Sequence, residues 1–212
     1  MLSHFSPVWF FGYDVALEFL FFVVSLFVAI FSIRVYRRTY QKPVRLFAVS
    51  FIFISISYLI QSVFNFIMLS EERSLISVAI LDTIAMYSHM LFMTIGLSIL
   101  AYMTFKVDNK RLIALISIIS LVAIFLSANP FYSFFLISSL YFGIVLIHFA
   151  LNYIRTPRKE SLLVVIAFVF LMFGSIHFIF SVNHSLFYAI GHILELVAYV
   201  MILINLLMVQ RK

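Results

Sequence analysis

Residues 9–33 read WFFGYDVALEFLFFVVSLFVAIFSI, and the basic segment RVYRRTYQKPVR follows directly at residues 34–45. The first stretch is long enough to cross the hydrocarbon core of a bilayer, for which a helix needs about 20 apolar residues. Its only charged residues are Asp14 and Glu18. An apolar helix followed by a basic loop is typical of a membrane span that ends at the cytoplasmic surface.

The same pattern of apolar stretches and short connections recurs along the whole chain. Hydrophobic residues make up 65% of the 212 residues, charged residues make up 10%, and the mean hydropathy is +1.19. A water-soluble domain is nearer half apolar and a quarter charged, so the composition excludes one. We therefore predict an all-α, polytopic integral membrane protein of the cell membrane. Residues 1–212 form one seven-helix transmembrane domain with spans at about 9–33, 46–69, 76–105, 112–128, 131–154, 161–182 and 186–209.

The basic residues predict the orientation of this bundle. Every one of the 14 Lys and Arg residues except Arg73 follows span 1, 3, 5 or 7. By the positive-inside rule, the N-terminus lies outside and the C-terminus lies in the cytoplasm. Charges that recur at each cytoplasmic loop, rather than along one stripe, indicate that the partner is the lipid bilayer and not a nucleic acid. Further membrane subunits are compatible with the sequence.

Two pairs of similar segments indicate an internal repeat. Span 2 contains FIFISIS at residues 51–57, and span 6 contains FVFLMFGS at residues 168–175. Span 3 contains SHML at residues 88–91, and span 7 contains GHIL at residues 191–194. Two three-helix units joined by span 4 would form parallel repeats, so the sequence is compatible with a 3+1+3 organisation.

Several polar residues lie at one depth within the predicted spans. Ionisable residues in a bilayer are costly and mark functional sites. At a rise of 1.5 Å per residue, six of these residues lie about 24–28 Å from the nearest cytoplasmic basic residue. They belong to five different spans and are Glu18, Gln61, His89, His177, His192 and Glu195. Their shared depth predicts a polar site in the outer half of the membrane.

The first interpretation of this site is a divalent transition metal, zinc or iron. Imidazole nitrogen and carboxylate oxygen suit such metals, and the predicted ligands are His89, His177, His192 and Glu195. With one coordination position open, the metal would activate water, with Glu18 or Glu195 as the catalytic base. The protein would then be a membrane metallohydrolase, although the sequence leaves open whether it is an enzyme.

Three alternatives use the same residues differently. Haem b held by His89 and His192 would make the protein an electron-transfer subunit. A proton- or cation-coupled transporter or sensor would use the carboxylates and imidazoles directly. In an accessory subunit of a larger complex, the polar layer would only hold helices together. A retinal Schiff base is not expected, because every lysine lies at a cytoplasmic end of a span.

Other polar residues near the same depth are expected in structural roles. Asp14 lies close to the outer interface, where we expect contact with water, and Tyr188 is placed for an interfacial aromatic belt. Gln61 and Asn65 are expected to form hydrogen bonds between helices.

Overall fold

The computed structural model describes residues 10–70, 75–105, 109–181 and 184–210. These residues form seven α-helices, which confirms the predicted all-α class. The helices are α1 (Phe11–Thr39), α2 (Lys42–Ser70), α3 (Leu75–Thr104), α4 (Lys110–Phe125), α5 (Pro130–Arg155), α6 (Lys159–Ser181) and α7 (Ser185–Gln210).

Six of the seven helices are long and apolar enough to cross a membrane, and the chain is a multi-pass membrane protein. The exception is α4, whose 16 residues extend over about 24 Å, against a hydrocarbon core of about 30 Å. This helix ends at Phe125, short of the predicted span end at residue 128. The outward-facing surface of the bundle is apolar and includes exposed Phe19, Phe27, Ile118 and Ile147, as contact with lipid requires.

Several helices begin or end at residues that are favourable at helix termini. The side chain of Asn109 accepts a hydrogen bond from the Arg111 backbone amide at the start of α4. Asn129 caps α5 through the Tyr132 amide, with Pro130 at the first helical position. An asparagine cap is favourable because its side chain accepts a hydrogen bond from an otherwise unpaired amide of the first turn. Proline is favourable there because it has no amide hydrogen that would lack a partner. At the end of α1, Tyr40 adopts a left-handed conformation with φ of 52°.

Helix α2 runs antiparallel to α1, and α3 runs antiparallel to α2. Asn65, near the end of α2, bonds Glu18, near the start of α1, whereas Ser55 bonds the Phe22 carbonyl. One residue number rises as the other falls, as expected for antiparallel helices. The same relationship holds between α6 and α7, where Gly174 faces Gly191.

Helices α3 and α5 run parallel to each other. The ring of His89 contacts the ring of Phe134 with centroids 5.7 Å apart, and Ser98 donates a hydrogen bond to the Tyr141 hydroxyl at 3.1 Å. Both residue numbers rise together between the two contacts. The chain must therefore return along the bundle between α3 and α5.

Helix α4 makes that return. The Asn109 amide, just before α4, donates to the Tyr102 hydroxyl at 3.0 Å, and Phe125, at the other end of α4, contacts the ring of Tyr87. The short helix thus runs antiparallel along α3 from Tyr102 to Tyr87. The helix directions alternate along the whole chain, with α4 completing the alternation.

The six long helices form a closed ring in the order α1, α2, α3, α5, α6, α7 and back to α1, and α4 packs outside the ring against α3 and α5. We call this arrangement the six-helix ring. At one end, here named the basic end, lie the described Arg and Lys residues of the α1–α2, α3–α4 and α5–α6 connections. Arg73, the predicted exception, lies outside the described residues. Towards the basic end the ring interior is filled by buried side chains that include Phe51, Leu97, Phe142 and Ile202.

Candidate functional site

A polar cavity of about 100 Å³ lies inside the six-helix ring, at the end opposite the basic end. It lies beside the first turns of α1, α5 and α7 and the last turns of α2 and α6. Among the described residues, all six ring helices line it and α4 does not. Its ionisable side chains are Asp14, Glu18, Tyr58, Asp82, His89, Tyr188, His192 and Glu195.

His192 lies between two carboxylates, one beside each nitrogen of its ring. Its Nε2 atom is 3.0 Å from Asp14 Oδ1, and its Nδ1 atom is 3.9 Å from Glu195 Oε2. The other Asp14 oxygen accepts a hydrogen bond of 2.9 Å from the Tyr188 hydroxyl. Asp14, His192 and Glu195 are all buried, at 2%, 6% and 4% exposure. An imidazole between two carboxylates can receive a proton at one nitrogen and release one from the other.

Aromatic rings hold the His192 imidazole in this orientation. Phe10 and Phe21 stack on it with centroids at 5.9 and 5.7 Å, and Phe178 and Tyr188 meet it nearly edge to face at 4.9 and 4.6 Å. Packing on all sides leaves the ring little freedom to turn. The relative positions of its nitrogens and the two carboxylates are therefore set by the tertiary structure.

A close approach of α6 and α7 brings Phe178 to this position. A Cβ atom at Gly191 would lie 2.9 Å from the Phe178 ring, so a side chain there would displace the ring. A Cβ atom at Gly174 of α6 would lie 3.2 Å from the Gly191 carbonyl oxygen. Small residues of this kind let membrane helices pack closely.

The path of ionisable groups continues from Glu195 towards the middle of the bundle. The Tyr58 hydroxyl donates to Glu195 Oε2 at 3.2 Å and lies 3.3 Å from the Tyr199 hydroxyl. Beyond Tyr199 the interior is filled mainly by apolar side chains, with Ser50, Ser98 and Asn205 as buried polar residues among them. The chain Tyr188–Asp14–His192–Glu195–Tyr58–Tyr199 therefore connects the cavity with the centre of the ring but does not cross it. We call this chain the relay.

Glu18 lies in the same cavity and is held by α2. The side-chain amide nitrogen of Asn65 donates to both of its carboxylate oxygens, at 2.9 and 2.8 Å. This confirms the expected interhelical hydrogen bond of Asn65. Its partner is a candidate site residue rather than a backbone group.

His89 lines the cavity but makes a different set of contacts. The Ser57 hydroxyl donates to the His89 carbonyl at 2.9 Å and lies 2.8 Å from Nδ1. The Ser57 hydroxyl thus bridges the ring and the backbone carbonyl of His89. The ring also packs on Tyr58.

His177 is not brought to the cavity. Its Nδ1 atom bonds the Phe173 carbonyl of its own helix at 2.7 Å, and its ring packs on Phe187. Of the predicted site residues, Glu18, His89, His192 and Glu195 line one cavity and His177 lies apart from it. Within the described ranges, no three His, Asp or Glu side chains are grouped to hold a metal ion.

Two residues have roles that the sequence interpretation assigned differently. Asp14 was expected to face water, yet it is 2% exposed and approaches His192. Tyr188 was expected in an interfacial belt, yet it donates to Asp14. The signals in the sequence were the spacing of Asp14 one turn before Glu18 and that of Tyr188 one turn before His192.

Several polar atoms of the cavity have no hydrogen-bond partner among the described residues. They are Asp14 Oδ1, Gln61 Oε1 and both ring nitrogens of His192. The approach of Asp14 to His192 is thus close but does not have hydrogen-bond geometry. Buried polar atoms are normally satisfied, so these atoms can accept a hydrogen bond from, or donate one to, a group that enters the cavity.

Comparison with known proteins gives one match. Residues 15–105 match the model of a protein family described as a family of unknown function (DUF7521). The matched region covers α1 from its second turn, all of α2 and α3, and it includes Glu18, Tyr58, Asn65 and His89 but not α7. No curated protein and no solved structure matches the chain.

Proposed function

We propose that the protein is a proton-coupled transporter of the cell membrane, in which Asp14, His192 and Glu195 bind and pass the proton. The basic end lies in the cytoplasm, in accordance with the positive-inside rule. The N-terminus and the cavity then lie at the outer face. Ionisable residues buried in a helical bundle are typical of proton relays in transporters and pumps.

The placement of His192 between Asp14 and Glu195 is the observation that favours proton transfer most directly. Both contacts use the same imidazole, but they use its two different nitrogens. A proton accepted from Asp14 at Nε2 leaves by way of Nδ1 towards Glu195, and the Tyr58 hydroxyl continues the path. Buried side chains below Tyr199, which include Phe51, Phe142 and Ile202, fill the ring on the way to the basic end, as a transporter in an outward-facing state requires.

The six-helix ring supports a transporter in a second way. Helices α1–α3 and α5–α7 have the same sequence of directions, and α3 contacts α5 as α7 contacts α1. Transporters are often built from two such parallel units, with the binding site at their interface. A 3+1+3 repeat, with α4 as the connecting helix, would supply two such units.

A transition metal at the same cavity is the second candidate, and the unpartnered nitrogens of His192 favour it. However, the two carboxylates approach opposite edges of the imidazole, so one ion at either nitrogen reaches only one of them. A cavity of about 100 Å³, with aromatic rings packed around His192, also leaves little room for the haem b of the other alternative. Proton transfer uses both carboxylates at once.

Proton flux into vesicles tests the proposal. The full chain is reconstituted in liposomes that contain a pH-sensitive dye, and a potassium diffusion potential drives protons inwards. We expect faster acidification than in protein-free vesicles, and loss of that difference in His192→Ala. His177→Ala is the matched control, because that histidine does not line the cavity, and it should retain the flux.

The outcomes separate the candidates. Equal acidification in wild-type and protein-free vesicles would contradict the proposal. Elemental analysis of the same preparation tests the metal site. A stoichiometric metal in the wild type that is lost in His192→Ala would establish that site instead.

A further inference from the structure

The walls of the cavity differ in chemistry on its two sides. Helices α1, α2 and α7 contribute the carboxylates Asp14, Glu18 and Glu195 together with polar side chains. Helices α5 and α6 contribute a largely apolar wall of Phe131, Phe134, Phe135 and Phe178, and α3 adds Met86, Met90 and Met93 beside its polar residues Asp82 and His89. A ligand that fills this space therefore needs a polar face and an apolar face.

The lining is rich in carboxyl groups. Four carboxylates line the cavity, and no lysine or arginine does so among the described residues. Asp14 is 2% exposed, and its Oδ1 atom has no hydrogen-bond partner in the described part of the chain. Gln61 Oε1 is a second acceptor without a partner there. Two unpartnered acceptor oxygens call for a donor, and a cationic donor also offsets the buried charge.

We propose that the transported ligand is a small organic ammonium ion, with its ammonium group at Asp14 and its apolar body against the α3–α5–α6 wall. This inference rests on the proposed transporter function and names its substrate class. An ammonium group donates several hydrogen bonds and interacts favourably with aromatic faces.

A bare inorganic cation fits this cavity less well. Hard cations such as Ca²⁺ take six to eight oxygen ligands arranged all around them. Here thioether and phenyl groups make up a large part of the lining, so oxygen ligands do not surround the cavity. A cavity of about 100 Å³ has room for roughly seven water molecules, so the ligand has fewer than about ten non-hydrogen atoms.

Calorimetric titration of the detergent-purified full chain with butylammonium chloride tests this inference. We expect saturable binding of about one ligand per chain, whereas 1-butanol and sodium chloride at the same concentration should neither bind nor compete. Asp14→Asn should weaken butylammonium binding at least tenfold. Phe134→Leu, which removes one aromatic face from the wall, should weaken it a few-fold.

Glu160→Gln is the matched control for the loss of one carboxylate, because Glu160 lies in the first turn of α6 at the basic end. It should bind butylammonium as the wild type does. Any heat from partition of the amine into the detergent micelles is the same for both proteins, so it does not contribute to a difference between Asp14→Asn and this control. Circular dichroism and gel filtration verify that each variant is folded. Equal binding by wild type and folded Asp14→Asn, or equal competition by sodium, would overturn the inference.

The result is separable from that of the flux experiment. Proton flux that depends on His192, without butylammonium binding, would leave the transporter function standing and refute the substrate class. Binding without proton flux would refute proton coupling and leave a cation-binding site.

Discussion

The amide nitrogen of Asn65 donates to both carboxylate oxygens of Glu18, at 2.9 and 2.8 Å, and so joins α2 to α1 inside the ring. Both side chains are buried, at 4% and 3% exposure. In this setting one amide group satisfies both oxygens of an acid that has little access to water. Buried acceptors left without a donor are costly, so this pair is a point where stability and the site depend on each other.

Asn65→Ala is therefore expected to lower the free energy of unfolding by about 1–3 kcal/mol, the usual cost of leaving a buried polar group unsatisfied. Unfolding in mixed micelles with increasing denaturing detergent measures the effect. In a Glu18→Ala background, Asn65→Ala should lower the free energy of unfolding by less than it does in the wild type, because the pair is already broken. Strict additivity of the two substitutions would show that the contact contributes nothing.

Gly96→Ala should separate α2 from α3. A Cβ atom at this position would lie 2.9 Å from both the Ser50 carbonyl oxygen and Ile54 Cγ1, and the backbone oxygen cannot turn away. Overpacking of this kind costs about 1–3 kcal/mol, and we expect the midpoint of thermal unfolding to fall accordingly. Gly12→Ala is the control, because nothing lies within 4 Å of its added Cβ. Equal midpoints for the two variants would contradict this packing.

Tyr141→Phe should loosen α4. The Tyr141 hydroxyl accepts a hydrogen bond from Ser98 of α3 at 3.1 Å and forms another with Ser120 of α4. Its removal leaves both serine hydroxyls without this partner, at a cost of about 1 kcal/mol. Limited proteolysis of the connections on either side of α4 is the measurement, and cleavage should be faster than in Tyr132→Phe, where the hydroxyl is removed from an exposed ring. A Tyr141→Phe variant as resistant as that control would count against the anchoring role.

Tyr58→Phe should interrupt the relay without emptying the cavity. It removes the hydroxyl that joins Glu195 to Tyr199, whereas the ring contacts with Phe21 and His89 remain. We expect the proton flux in vesicles to fall about tenfold or more, since positioned acid–base groups contribute on this scale. The control is Tyr102→Phe, whose hydroxyl accepts from the Asn109 amide near the basic end. An unchanged flux in Tyr58→Phe would remove that residue from the relay.

Part of the site could be predicted from the sequence because helical geometry is regular. Counting residues from the basic loops placed Glu18, His89, His192 and Glu195 at one depth, and all four line one cavity. The same count placed His177 at that depth, but the rotation of α6 turns it out of the cavity, and it bonds Phe173 of its own helix. Depth depends only on rise per residue, whereas the direction of a side chain depends on how its helix packs.

The position of α4 shows the same limit at the level of the fold. Its composition predicted a membrane span at about 112–128, and the structure has a helix over Lys110–Phe125 that is shorter than the six long helices. That it packs outside the ring follows from contacts of α3 with α5 that are distant in the sequence. Apolar helices of similar composition do not indicate which neighbours they take.

The amino-acid sequence by itself determined that the protein lies in a lipid bilayer, that it is helical and that positive charge clusters at one end. These properties depend on composition and on the length of apolar stretches. Only the tertiary structure decided that Asp14 is buried beside His192 and that Tyr188 bonds it. These contacts join residues 174 and 178 positions apart. No local periodicity encodes such a pairing; it arises when the ring closes and α1 is packed against α7.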